Sequence, residues 1–335
     1  MRLRPLIMLA AASLLVSCGS SDAQKQRVLY SMDTYMTFTA YGENADKGLS
    51  AAADVISELD GKWSAENENS EINVVNIHPG QAVKVSADTA SLTAFAKDMY
   101  IITDGALDIS LQSVVKEWGF TSLEHHIPDD ARLASLLKNT GADRIEIKDD
   151  SVTIPEGMTI GLGSVAKGAA GDIAAEELKR QGVESAILDL GGNIRTVGVK
   201  PDGSEWKVGI RDPFGDGIFG VLLVGETNIV TSGGYERYFE IDGKRYWHIL
   251  DPETGRPADS GIVSATAVGA EGRYCDALST SMFVMGKDKA IEFWRSRRDF
   301  DLILVTDSRE VLISEPLKES FSLQDGCDWS VTVIE

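Results

Sequence analysis

Four short stretches of this chain carry more glycine, hydroxyl and charged residues than a plain core needs. In residues 231–257, TSGGYERYFEIDGKRYWHILDPETGRP, Asp242-Gly243 marks a hairpin turn between two strands. The returning strand delivers His248 and Asp251 onto a turn closed by Pro252 and Gly255. An imidazole titrates near neutrality, so a His and an Asp held at a strand end suit proton transfer. In Cys275-Asp276-Ala277-Leu278-Ser279-Thr280, Asp276 and Thr280 stand at i and i+4, on one helix face. A carboxylate and a hydroxyl are hard oxygen ligands, suited to Mg²⁺ rather than zinc.

In residues 159–172, TIGLGSVAKGAAGD, Gly161, Gly163 and Ser164 run into a helix start. Free N–H groups and the positive dipole end attract phosphate there, and Lys167 adds a charge in the first turn. In Gly105-Ala106-Leu107-Asp108 the small residues permit close backbone approach to a ligand. Taken singly, each stretch has an ordinary structural explanation: a satisfied histidine, a capping Asp, a tight turn, a small-residue helix contact. Together they predict a site for a phosphate-bearing ligand with a hard divalent ion.

These stretches need elements to position them. Thr34–Tyr41 is β-branched and aromatic and predicts a strand. Leu49, Ala52, Ala53, Ile56 and Leu59 recur at helical spacing, in a helix ending near Gly61. Residues 87–103 and 129–139 show further helical patterns, and Ser164–Arg180 predicts a helix closed by Gly182. From about residue 185 the texture turns to short strands, AILDL, WKVGI, GVLLV, NIVTS, YFEID and IVSATAV, separated by Gly and Asp turns. A helix from about 273, another at 287–297 and the strands DLILVTD and EVLIS finish the chain. Helices gather in the first half and strands in the second, which favours an α+β class.

Composition narrows the function. The 335 residues are 43% hydrophobic and 25% charged, values of a chain with a real core. A formal net charge of −20 argues against a nucleic-acid partner. Three Cys and four His exclude a disulfide scaffold and leave little for a zinc cluster. Arg2 and Arg4 precede an apolar run, Leu6–Val16, shorter than the ~20 residues that span a bilayer. With Leu15-Val16-Ser17-Cys18 at its exit, the run reads as a lipoprotein signal peptide over residues 1–17. Cys18 would then be acylated and residues 18–27 would tether a domain at 28–335, lipid-anchored to the cell membrane on its extracytoplasmic side. Cys275 and Cys327 pair or stay free; a free, buried Cys275 is the simpler expectation.

The stretches from Met32-Asp33-Thr34 to Met285-Gly286, together with Ser70-Glu71-Ile72, VVKEWGF, LDLGGNIRTVG and WKVGIRDP, resemble the FAD:protein FMN transferase (ApbE) family. The resemblance implies an α+β fold of two related lobes, with mixed and antiparallel sheets flanked by helices and the ligand cleft between the lobes. It implies a Mg²⁺-dependent reaction that splits FAD, releases AMP and esterifies FMN to a threonine of an acceptor redox protein. Met32, Ala106, Leu107, Asp108, Lys167 and Leu250 fall on the FAD-contact positions, and Ser164, Asp276 and Thr280 on the Mg²⁺ positions. His248 and Asp251 match the catalytic turn, either of them being the base. Two positions depart from the family pattern. Glu66 in Ser64-Ala65-Glu66-Asn67 stands where a tyrosine is usual, its charge facing an anionic ligand, and Gly161 replaces an Asp. Both changes predict weakened FAD binding. Hydrolysis of FAD to FMN and AMP is the alternative activity, and flavin binding without chemistry is a third.

Overall fold

The protein is described here by a computed structural model covering residues 23–122 and 124–335. The expected signal peptide, with Cys18, lies outside the described residues. A hairpin of β1 (Gln24–Ser31) and β2 (Thr34–Tyr41) leads into α1 (Ala45–Trp63) and α2 (Glu71–Ile77). Then come β3 (Val83–Lys84), α3 (Ala87–Ile102), α4 (Gln112–Glu117), α5 (Asp130–Leu137), β4 (Glu146–Lys148) and β5 (Ser151–Thr153). Helix α6 (Ala166–Arg180) precedes β6 (Ala186–Asp189), β7 (Asn193–Val197), β8 (Trp206–Arg211), β9 (Ile218–Val224) and β10 (Asn228–Gly233). The hairpin of β11 (Tyr238–Ile241) and β12 (Lys244–Trp247) is followed by β13 (Ile262–Gly269) and α7 (Gly272–Arg297). Strands β14 (Asp301–Thr306), β15 (Glu310–Ser314), β16 (Phe321–Leu323) and β17 (Ser330–Ile334) complete the fold.

The architecture is α+β, as expected. A nine-stranded mixed sheet, ordered β1-β2-β6-β7-β10-β13-β14-β15-β17, draws strands from both ends of the chain. Its pairs are antiparallel except β15 with β17. Helices α1, α6 and α7 cover one face. The small sheet β16-β9-β8 covers part of the other. Burial on both faces explains why β14 reads as an unbroken apolar run. Leu302 and Leu304 point into the helical core, while Ile303 and Val305 pack with Val208, Phe219 and Leu222 of the small sheet.

Two expectations are corrected. The tether does not reach residue 27, because β1 starts at Gln24 and pairs along its length with β2. Helix α6 starts at Ala166, leaving Ser164 in the turn before it. As expected, two helical segments fill residues 273–297, and Gly286, with a φ of 77°, breaks the helix between them. Cys275 and Cys327 are both free, and burial pushes the Cys275 thiol up.

Helices α6 and α7 cross at two glycines. A Cβ on Gly168 would lie 2.1 Å from the Gly272 carbonyl oxygen, and one on Gly272 would lie 2.4 Å from that of Gly168. Asp172 ties the crossing, accepting the Gly272 N–H at 2.6 Å and an Asn228 amide hydrogen at 3.2 Å. Gly168→Ala should therefore destabilise the fold by about 1–3 kcal/mol, the usual range for overpacking. Gly61→Ala, in α1 with open space around the new methyl, should instead stabilise it by up to about 1 kcal/mol through helix propensity. Denaturant unfolding of the two variants checks the pair; equal shifts would show that the crossing is not tight.

Candidate functional site

A cleft of about 370 Å³ opens where β2 and β7 begin, β10 ends, α6 starts and α7 presents Asp276 and Thr280. That volume lies within the range of small-molecule sites. Met32, Ala106, Leu107, Asp108, Ser164, Lys167, His248, Leu250, Asp276 and Thr280 all line it. Of the residues expected from sequence, only Asp251 is outside the lining.

Each lining residue is held by a local device. The turn between β1 and β2 puts Met32 and Asp33 in the left-handed region, at φ 48° and 59°. Asp60 holds this turn, accepting the Met32 N–H at 3.0 Å and the Ser31 hydroxyl at 2.8 Å. Asp108 accepts the Ser110 N–H and hydroxyl at 2.8 and 2.6 Å, and its other oxygen accepts the Gly141 N–H at 3.1 Å. Burial nevertheless holds its carboxyl above the ordinary range. Its oxygens serve the loop, so its backbone is what Gly105 and Ala106 leave open to a ligand.

His248 follows β12. Its N–H and its Nδ1 both reach the Arg237 carbonyl oxygen at 3.1 Å. A carbonyl only accepts, so Nδ1 carries the hydrogen and Nε2 keeps its lone pair. Burial, reinforced by the Arg237 charge, pushes the imidazole down to about 4, so the ring is neutral at pH 7. Asp251 lies just outside the cleft lining and is engaged within its own turn. Its carboxylate accepts the Glu253 N–H at 2.9 Å, and its carbonyl closes the turn on the Gly255 N–H at 2.8 Å. Trp118 donates to the Gly255 carbonyl at 2.7 Å, tying this turn to α4. Asp251 thus shapes the turn, and the group orienting His248 is the Arg237 carbonyl.

At the glycine crossing, Asp276 accepts the Gly168 N–H at 2.8 Å. Burial raises its carboxyl above the ordinary range, against the pull of Lys167 and that hydrogen bond. Thr280 lies one turn on, with its hydroxyl 3.2 Å from that of Ser232, which in turn is 2.8 Å from Ser279. Asn193, 2% exposed and on the cleft wall, has an Nδ2 with no partner among the described residues. One carboxylate amid hydroxyls supplies the oxygen ligands a hard cation takes, while the Asn193 Nδ2, an N–H donor, suits an anionic oxygen such as that of a phosphate. No cluster of three or more His, Cys, Asp or Glu suited to a metal exists among the described residues.

The two departures noted in the sequence meet here. The Gln112 side chain fills the space above Gly161, where a Cβ would lie 2.3 Å from its Oε1. Gln112 Nε2 donates to Glu66 Oε1 at 2.8 Å, and Lys116 Nζ stands 3.3 Å from the same oxygen. Ser64 accepts the N–H groups of Glu66 and Asn67, fixing the loop so that Glu66 lines the cleft. The expected bare charge is therefore corrected: Lys116 answers it. Sequence reasoning missed Gln112, Asn193, Ser232 and Arg237, all cleft-lining residues that come together only through strand pairing and loop packing.

Ser70-Glu71 is architectural. Ser70 caps α2, accepting the Asn73 N–H at 2.9 Å, and Glu71 accepts the Ser86 N–H at 3.0 Å at the start of α3.

Comparison with known proteins places this cleft in a family. Residues 32–304 match the model of the ApbE family. The FAD:protein FMN transferase of Klebsiella pneumoniae is 34% identical over 268 residues, 78% of this chain and 82% of that protein. The one from Vibrio cholerae is 31% identical over 297 residues, 85% and 89% of the two chains. Among solved structures, the ApbE protein of Thermotoga maritima superposes with a TM-score of 0.84 at 31% identity, covering 89% of this chain and 99% of that one. The apo flavinyl transferase ApbE of Pseudomonas stutzeri gives 0.76 at 25%, over 85% and 92%. The α+β fold, the cleft and these matches along most of the sequence make the chain a member of the ApbE family.

Proposed function

We propose that this protein is an FAD:protein FMN transferase that moves FMN from FAD to a threonine of an acceptor redox protein and releases AMP. The observation that carries this reading is the meeting, in one cleft, of a neutral His248 with Asp276, Thr280 and Ser164 beside the α6 start. Met32, Ala106, Leu107, Lys167 and Leu250 would contact FAD, and Asp108 would do so through its backbone. Lys167 and the Gly163–Ser164 turn before α6 would receive the pyrophosphate, since the first N–H groups of α6 are taken by the Leu162 carbonyl and the Asp276 carboxylate.

In the transfer step the threonine Oγ attacks the FMN-side phosphorus. An Oγ–P bond forms, the P–O bond to the bridging oxygen breaks, and AMP leaves with that oxygen. His248 Nε2 takes the hydroxyl proton, while the Arg237 carbonyl holds the ring in the tautomer that permits it. Ser164, Asp276 and Thr280 would hold Mg²⁺, which supplies charge neutralisation at the pyrophosphate. Water attacking the same phosphorus would give FMN and AMP instead. We place the protein at the cell membrane through acylated Cys18, and loss of membrane fractionation in Cys18→Ala is the test.

Incubation with FAD and Mg²⁺, with and without an acceptor domain, tests the activity. Covalent flavin on the acceptor is the expected result; AMP with free FMN alone would make it a hydrolase, and unchanged FAD a binder. Asp276→Ala should abolish Mg²⁺-dependent turnover without unfolding the chain, since a Mg²⁺ site with one carboxylate cannot spare it.

The pH profile has a defined sign. A base whose conjugate acid titrates at about 4 stays competent through neutral pH and fails only as pH falls through that value. The acid limb of kcat/KM should therefore lie near pH 4, with the fold followed by circular dichroism. A limb near 6.5 that persists in His248→Ala would remove His248 from the mechanism; that variant should lose about 10²–10⁴-fold in rate.

The Gly161–Gln112 contact predicts a coupled pair. Gly161→Asp alone should weaken FAD binding by about threefold, or ~0.7 kcal/mol, because the new side chain makes the movable end of Gln112 swing aside and give up its bond to Glu66. Adding Gln112→Ala should recover most of that loss. Additive effects in FAD titrations would show that Gln112 does not occupy this space in solution.

A further inference from the structure

We propose that the β1 edge and the exposed face of the β1–β2 hairpin seat the acceptor polypeptide, which adds an extended, threonine-bearing segment as a strand along β1. The inference rests on the transferase reading and concerns how its second substrate is recognised.

Strand β1 ends the nine-stranded sheet, and its outer edge has no strand partner among the described residues. Long exposed edges are normally blunted, because their unpaired N–H and C=O groups recruit other strands. This one runs for eight residues and displays large apolar side chains beside it. Val28, Tyr30 and Tyr35 are 61%, 63% and 73% exposed. Tyr30 and Tyr35 are directly opposed in register, with their rings edge to face at 5.2 Å, and Thr37 faces Val28. They form one contiguous patch on the hairpin.

Position identifies the occupant. The hairpin that carries the patch turns at Met32–Asp33, and Met32, Asp33 and Thr34 line the cleft. Tyr30 is two residues from that lining, a distance of about 7 Å along a strand. An added strand laid against Tyr30 would thus bring a threonine a few residues further on to the cleft mouth. The mouth is braced by Arg237, whose guanidinium lies 3.7 Å from the Asp33 carboxylate. Main-chain hydrogen bonds to β1 would supply affinity with little demand on sequence. Alternate β-branched or aromatic side chains of the acceptor would meet the tyrosines. Lys25 and Arg27 on β1 add positive charge to a chain of net −20, which suits an acceptor segment with acidic flanks.

The test uses the full chain and an apo flavin-carrier domain of a membrane redox protein that the wild-type enzyme loads with FMN. Three quantities are measured: KM for that domain, the FAD dissociation constant, and AMP release without acceptor. The variant Tyr30→Asp/Tyr35→Asp lies outside the cleft, and Val28→Lys provides a milder second probe. Both should raise KM for the domain, by tenfold or more in the double variant, and leave FAD affinity and acceptor-free AMP release unchanged. Amide hydrogen exchange should show β1 protected when the domain is added. Unaltered KM in folded variants overturns the proposal. So does β1 protection that arises instead from self-association, seen by sedimentation, or from phosphatidylglycerol–phosphatidylethanolamine vesicles. Failure of wild type to load any such domain would overturn the transferase reading itself, and this proposal with it.

Discussion

The backbone crossing of α6 and α7 at Gly168 and Gly272 is the constraint on which the cleft depends. A side chain at either position would push into the other helix's carbonyl oxygen. Close approach lets Asp276 of α7 reach the Gly168 N–H in the first turn of α6. The carboxylate and the start of α6 are thereby fixed to each other by one hydrogen bond. Asp172 and Asn228 link the same crossing to the sheet, so Ser232, at the end of β10, meets Thr280. A helix pair spaced by ordinary side chains would separate these groups by several ångströms, about the difference between helix contacts with and without a Cβ layer.

The sheet contributes rigidity. With β13, β14 and β15 buried on both faces, the strands that carry α7 cannot shift without disturbing two cores. The cleft itself is built from turns and element ends: Met32–Asp33, Gly105–Asp108, the start of α6 and the segment after β12. Three are held by a side chain outside the chemistry, namely Asp60, Ser110 and Trp118, and the start of α6 is held by the Asp276 carboxylate on the Gly168 N–H. Catalytic loops on a stiff scaffold are the usual division of labour. Here the loops gain precision because each has its own polar anchor.

How much of this was legible in sequence differs by kind of feature. Strand β2 is readable at Thr34–Tyr41 because β-branched and aromatic residues crowd it, and the break at Gly286 because glycine interrupts a helical pattern. Strand β1, QKQRVLYS, carries no such signal, since it is an edge whose outward face stays exposed. The roles of His248 and Asp251 show the same limit within the site. Spacing of three placed both on one turn, but spacing cannot say which backbone carbonyl the imidazole will find. That carbonyl belongs to Arg237, eleven residues earlier and brought close by the β11–β12 hairpin. Gln112 was invisible for a similar reason: only packing shows that it fills the void over Gly161.

Electrostatics gives the cleft its final logic. A chain of net charge −20 that receives a pyrophosphate must keep its own carboxylates from repelling it. The cleft carboxylates are all engaged by donors. Asp60 faces the Met32 N–H, Asp108 the Ser110 and Gly141 N–H groups, Asp276 the Gly168 N–H, and Glu66 the Lys116 ammonium. Arg237 is shared with Asp33, which leaves Lys167 and the α6 start as positive features beside the Asp276 pocket. Burial raises the Asp276 carboxyl, so ionising it costs free energy until a cation arrives. A divalent ion seated there would reverse that cost and supply the charge the phosphates require. Binding of ion and anionic substrate would then be mutually reinforcing, because each removes the penalty that opposes the other.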